Sequence, residues 1–190
     1  PADRARLLAT LAMIERSAPP SLARARASGV LRIGTTGDYA PFSLERDGRV
    51  RGSDIALGLS LAGELGLAAV FVPTSWPTLM QDLAADRFDV ALSGISITPE
   101  RAAAALFSLP YHGGGKTILA RCAEAARFDT PQELDDPATR VVVNPGGTNE
   151  RYVREHLVRA QIRVHPDNRS IFGEILAGRA DAMVTDDVEA

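Results

Sequence analysis

The run Phe88-Asp89-Val90-Ala91-Leu92-Ser93-Gly94-Ile95-Ser96-Ile97-Thr98-Pro99-Glu100-Arg101 sets the fold class of this 190-residue chain. The apolar stretch 88–92 reads as a buried strand. Small hydroxyl and glycine residues follow it. Pro99 then starts a helix over 99–105, at the first position, where a missing N–H costs nothing. Strand, polar loop and helix in that order are the repeating unit of a parallel α/β sheet, and the loop falls where such sheets gather ligands.

The same alternation fills the chain from Val30. Strands are expected at 30–34, 68–72, 117–120, 141–143, 162–165 and 182–184, with helices at 55–65, 76–85, 148–158 and 171–176. Asp47-Gly48 and Gly52 are turn signals, and Gly66 and Gly178 close helices. Gly113 to Gly115 separates two such series. The expectation is two doubly wound α/β lobes, 30–116 and 117–190, behind an N-terminal helical arm, 1–29. That arm carries Leu7, Leu8, Leu11 and Ile14 at helical spacing, a stop at Pro19-Pro20 and a second helix over 21–27. It lacks the charged start, apolar run and small-residue cleavage site of a signal peptide, so it reads as a mature arm or as what remains after processing. Thr185-Asp186-Asp187-Val188-Glu189 reads as the start of a helix, which leaves the second lobe incomplete.

Composition narrows the function. The net charge of −3 removes the main electrostatic argument for nucleic-acid binding. With 45% apolar and 24% charged residues the chain is globular in type. No apolar stretch approaches the length of a membrane span. Cys122 is the only cysteine, which excludes an internal disulfide and a multi-cysteine metal site. His112, His156 and His165 have no ligand spacing. Neither a metal nor a cofactor is expected.

Five loops at strand ends hold the candidate site residues. The first contains Thr36. The second contains Trp76, which either stacks on a flat ligand or belongs to the core. The third holds Ser93, Gly94, Ser96 and Arg101, whose backbone N–H groups and guanidinium suit a carboxylate; otherwise Thr98 only caps a helix and Arg101 is solvated. The fourth, with Asn144, Gly147 and Thr148, is an anion-friendly helix start or an ordinary turn. The fifth carries Asp186 and Glu189, three apart. They form either a capping box or a pair of cleft carboxyl groups, one of them shielded enough to serve as a general acid. Lys116 is the only lysine among 21 basic residues. An ammonium group is a compact charge, unlike the planar fork of arginine; here it is either a chance survivor or a site residue.

Gly34-Thr35, Tyr39-Ala40-Pro41-Phe42, Gly52 with Asp54, the run 93–101 and Phe107-Ser108-Leu109-Pro110-Tyr111 together resemble the polar-amino-acid branch of bacterial periplasmic solute-binding proteins. The resemblance implies the type II periplasmic-binding fold, with two α/β lobes, a cleft between them and crossing strands at the hinge. It also implies a periplasmic location and a chain that continues past residue 190, where Cys122 could find a partner. Pro73-Thr74-Ser75-Trp76-Pro77, Gly115-Lys116-Thr117, the run 143–150, His165-Pro166-Asp167-Asn168 and Thr185-Asp186 with Glu189 are similar to the cyclohexadienyl dehydratases within that superfamily. Those enzymes convert prephenate to phenylpyruvate and arogenate to phenylalanine.

That likeness implies that Arg101 binds the side-chain carboxylate with help from 93–96 and Thr148. Trp76 would pack on the ring, Asp186 would face the cleft, Glu189 would be the general acid, and Asn149 and Lys116 would position or tune it. Asn144 and Gly147 complete the substrate contacts, and a homo-oligomer is compatible with the sequence. The branch usually has Gly-Phe-Asp where this chain has Gly52-Ser53-Asp54, and an acid where it has Ala56. The alternative is a non-catalytic amino-acid-binding protein of an ABC importer; a sensor domain is a third reading. Pure binders generally carry an aliphatic residue at the position of Glu189. Binders of basic amino acids tend to carry an acid at that of Thr36.

Overall fold

The computed structural model describes residues 20–190. The helix expected around Leu7 to Ile14 lies outside them. The chain begins with α1 (Pro20–Ser28) and turns at Gly29, φ 72°, into β1 (Val30–Thr35). A hairpin sheet follows, made of β2 (Asp38–Tyr39), β3 (Ser43–Arg46) and β4 (Arg49–Arg51). Its tip is Asp47-Gly48, both with positive φ, the geometry that a tight hairpin requires. Next come α2 (Ser53–Glu64), β5 (Ala68–Pro73), α3 (Leu79–Ala84), β6 (Val90–Ala91) and α4 (Pro99–Ala104). β1 lies between β5 and β6 and pairs in parallel with both. Leu31 and Ile33 of β1 pack with Ala25 of α1, Ala62 of α2 and Leu92.

Lys116 opens the second sheet as the first residue of β7 (Lys116–Ala120). A 3-10 turn (Cys122–Arg127), α5 (Pro131–Leu134), β8 (Arg140–Val143), α6 (Thr148–His156), β9 (Gln161–Val164), α7 (Phe172–Leu176), β10 (Ala182–Asp186) and a last 3-10 turn (Asp187–Glu189) follow. The strand order is β7-β10-β8-β9. β10, β8 and β9 are parallel, and β7 runs antiparallel to β10. Val141, Val143, Ala182 and Val184 pack with α5 and α6 through Leu134 and Val153, whereas Val142 and Met183 pack with Ile171 and Ile175. Both faces are covered, which is why these strands read as continuous apolar runs.

Four expectations are corrected. The helix read over 76–85 starts only at Leu79, because Ser75 to Thr78 form a hydrogen-bonded turn, and Trp76 sits in that turn. Residues 38–51, read in the sequence only through the turn signals at Asp47-Gly48 and Gly52, form a three-stranded hairpin sheet. β7 departs from an all-parallel sheet. The residues read as a helix start at 185–189 continue β10 to Asp186, because the backbone of Thr185 and Asp186 pairs with Thr117 and Lys116. No described helix is long and apolar enough to cross a membrane, and the Cys122 side chain is exposed and unpaired.

Candidate active site

The strand ends of the two sheets face each other across a small polar cleft. It is lined by Tyr39, Trp76, Gly94, Ser96 and Arg101 from the first lobe and by Asn144, Gly147, Thr148, Asn149, Asn168, Asp186 and Glu189 from the second. The lobes meet around it. Tyr39 Oη donates to Asp186 Oδ2 at 2.7 Å, and Asn168 Nδ2 donates to the Asp38 carbonyl at 2.9 Å. Arg151 pairs with Glu100 at 2.8 Å and Arg169 with Glu45 at 2.9 Å. At the rim Gly146, φ 72°, lies so close to Pro77 that a Cβ there would fall 2.7 Å from the proline backbone.

The first-lobe wall follows from its loop. Thr98 caps α4 by accepting from Arg101 N at 3.3 Å. The cap projects Arg101 back along the loop, where its Nη1 donates to the Ser96 carbonyl at 3.0 Å. The guanidinium lies 6.0 Å from the centre of the Trp76 ring and has no carboxylate partner among the described residues. Burial lowers its pKa, yet an arginine stays charged. Trp76 is half-buried; its Nε1 donates to Asp38 Oδ1 at 3.0 Å, and its ring meets Tyr39 edge-on. Gly94, φ 61°, is required where it stands, since a Cβ would strike the rings of Phe42 and Tyr39 at about 2.5 Å.

Thr36 and Ser93 stand behind this wall instead of lining it. Ser93 Oγ is fully buried and meets Thr36 Oγ1 at 2.8 Å, Ser43 Oγ at 2.5 Å and the Thr36 N–H at 3.1 Å. These two hydroxyl groups brace the loop from inside the first lobe, Ser93 fully buried and Thr36 half-buried.

The second-lobe wall is built around Lys116. Antiparallel register sets it opposite Asp186, and such facing pairs bring side chains into contact. Its Nζ donates to Asp186 Oδ1 at 2.6 Å, Thr148 Oγ1 at 2.7 Å and Asn149 Oδ1 at 2.5 Å. An ammonium has three donors, and all three are engaged. Lys116 therefore stands behind the lining and is not bonded to Glu189. Asn149 likewise makes no direct bond to Glu189; its amide nitrogen faces Asn144 Oδ1 at 3.2 Å and Thr185 Oγ1 at 3.5 Å.

Glu189 accepts from the Thr185 hydroxyl. Asp186 takes no cap bond from its side chain, so the two carboxyl groups do not form a capping box. Burial pushes the Glu189 carboxyl up to about 7; the charges of Asp186 and Asp38 act in the same direction, against Thr185 and Lys116. Burial, then the bond to Asp186, raises the Tyr39 phenol. The cleft thus sets a cation and an aromatic ring on one wall against a protonatable carboxyl on the other. Thr185, Tyr39, Asp38 and Asn168 were not singled out from the sequence. Asn168, Tyr39 and Thr185 lay inside quoted motifs, but nothing in the sequence marked the Thr185 hydroxyl as a partner of Glu189.

Residues 31–183 match the family model of the bacterial extracellular solute-binding proteins, family 3. The chain belongs to that family. Its fold is the type II periplasmic-binding fold. Among the solute-binding relatives, cyclohexadienyl dehydratase of Pseudomonas aeruginosa is 51% identical over 185 residues, covering 96% of this chain and 69% of that protein. The L-cystine-binding protein of Escherichia coli is 28% identical over 170 residues, 89% of this chain and 63% of its own. The crystal structure of the ancestral amino acid-binding protein AncCDT-1, described as a precursor of cyclohexadienyl dehydratase, superposes with a TM-score of 0.83 at 41% identity, over 87% of this chain and 74% of that one. The chain thus spans about two thirds of the length of these curated relatives.

Proposed function

We propose that this solute-binding-family protein is a periplasmic cyclohexadienyl dehydratase that acts on prephenate and arogenate without a cofactor. The observation that carries the reading is Glu189, a carboxyl group with its pKa raised to about 7 in the wall of the cleft, facing the Arg101 and Trp76 wall. The 51% identity to a dehydratase across 96% of the chain supports it.

Prephenate carries a quaternary ring carboxylate, a second carboxylate on its side chain and a para hydroxyl. In the reaction the bond from ring to carboxylate breaks, its electron pair moves through the ring, and the hydroxyl leaves. Glu189 gives the leaving oxygen its proton, so the products are carbon dioxide, water and an aromatic 2-oxo acid. Arg101 holds the side-chain carboxylate with charge-assisted bonds. Trp76 flanks the ring, and the N-terminus of α6 at Gly147 and Thr148 adds backbone donors. Closure of the lobes excludes water, which strengthens these interactions and fixes the geometry. General acid catalysis by Glu189 contributes roughly 10²–10⁴-fold.

The test is to mix the full-length protein with prephenate and follow phenylpyruvate by its absorbance, beside a Glu189→Gln variant. Turnover that is lost in the variant supports the enzyme. The second reading is an amino-acid-binding protein, favoured by the relatives that bind cystine and arginine. Tight binding of an amino acid without any turnover of prephenate would establish that reading instead.

A further inference from the structure

Glu189 owes its setting to a polar chain that starts at Lys116. The ammonium is a donor only. The atom of Asn149 that faces it at 2.5 Å is therefore the amide oxygen, which fixes the flip of that side chain. The Asn149 NH₂ group then faces Thr185 Oγ1 at 3.5 Å, and Thr185 is the acceptor in that contact. Its single hydrogen is left to point at Glu189 Oε2, which it does. Each polarity in the chain follows from the one before it.

Thr185 is 0% exposed and backed by β7 through its pairing with Thr117. Its hydroxyl is shut off from bulk solvent. Glu189 belongs to a 3-10 turn of three residues, a short element with no regular helix to hold its side chain. Other charged or titratable groups gather around the carboxyl: Asp38 and Tyr39 from β2, Arg101 across the cleft, Lys116 from β7 and Asp186 from β10. Glu45, Arg46 and Arg169 lie along the adjoining groove that Glu189 also lines. None of these groups is hydrogen-bonded to the carboxyl; among the described residues that bond comes from Thr185.

We propose that Thr185 is a positioning residue for Glu189: it holds Oε2 as an acceptor and so keeps the transferable proton on Oε1. The proposal rests on the reading of Glu189 as the general acid. In this arrangement Lys116 and Asn149 act on the acid through Thr185. A valine at 185 would keep the β-branched shape and remove the hydroxyl.

The experiment measures kcat and KM for prephenate against pH in Thr185→Val, Thr185→Ser and Glu189→Gln. Thr185→Val is expected to lower kcat by about tenfold with KM within about twofold, the size of one lost hydrogen bond. The hydroxyl bond favours the ionised carboxyl. Its loss therefore moves the alkaline limb of the kcat profile to higher pH. Thr185→Ser restores both the rate and the limb. Thr185→Ala is read in the same way should the valine protein not fold. A hydroxyl-free variant with unchanged kcat and an unmoved limb overturns the proposal. So does a loss of rate that leaves the limb in place and is not rescued by serine. Normal turnover by Glu189→Gln would instead overturn the proposed general acid itself.

Discussion

Tyr39 and Asp186 join the lobes through one hydrogen bond of 2.7 Å at the edge of the cleft. Asp186 also faces Lys116 at 2.6 Å, so the carboxylate is shared between a phenol from β2 and an ammonium from β7. The bond exists only while the lobes are together. Tyr39→Phe should therefore raise KM by about tenfold, since a hydrogen bond to a charged group contributes about 1.5–3 kcal/mol. Thermal unfolding of the variant should shift little. An unchanged KM would show that this bond does not bias closure.

Arg101 presents a charged fork to the cleft, and among the described residues only the Ser96 carbonyl is bonded to it. Arg101→Ala should raise KM for prephenate by about ten- to a hundredfold, the loss of a charge-assisted carboxylate pair. Arg101→Lys should recover only part of it, because an ammonium cannot make the bidentate contact. Steady-state kinetics decide this, and wild-type saturation in Arg101→Ala would remove the residue from ligand binding.

Replacing Glu189 by glutamine preserves shape and most hydrogen bonding but removes the proton. The expected loss in kcat is about 10²-fold or more with little change in ligand affinity. Binding of a non-reacting analogue, measured by calorimetry, separates the two effects.

The pH dependence follows from the raised carboxyl of Glu189. As an acid with a pKa of about 7 it is protonated below that value, so kcat should hold steady at lower pH and fall as pH rises past about 7. Stability moves in the same sense. The folded value lies above the ordinary 4.5, so the contribution of the protonated group is complete below 4.5 and is lost as pH rises through about 7. Glu189→Gln should flatten this part of the stability profile, as read by denaturant midpoints across pH.

Asp89 carries the opposite sign. Against its burial, the bonds from Arg32 and Arg24 hold its pKa down to about 2 from the ordinary 3.8. Its contribution to stability is complete above 3.8 and disappears as pH falls through about 2. Asp89→Asn should destabilise the first lobe by about 1.5–3 kcal/mol, the range for hydrogen bonds to charged groups. Denaturant melts at neutral pH check it.

How far the sequence could be read depended on which interactions were local. The strands around Val141–Val143 and Ala182–Val184 were legible because both sheet faces are covered, and that demands unbroken apolar runs. Ser43–Arg46 and Arg49–Arg51 were not legible as paired strands, since their sheet is short and its strands mix polar with apolar residues. Trp76 stood out by rarity and Lys116 by being alone among arginines, but the partners of Lys116 depend on antiparallel pairing 70 residues away in the chain. The capping-box spacing of Asp186 and Glu189 gave a local alternative that lost to strand pairing. Thr185 stood in a quoted motif, but its contacts with Asn149 and Glu189 arise only when three elements meet.

Gly146 does not line the cleft, yet it sets the gauge between the jaws. Its missing methyl is the space that the Pro77 backbone occupies. A methyl there would act as a wedge, holding the rims apart whatever lay inside. Tightness of the enclosure is thus governed at a point outside the lining, and a bulkier residue at this rim should change how long a guest stays more than which guest is chosen.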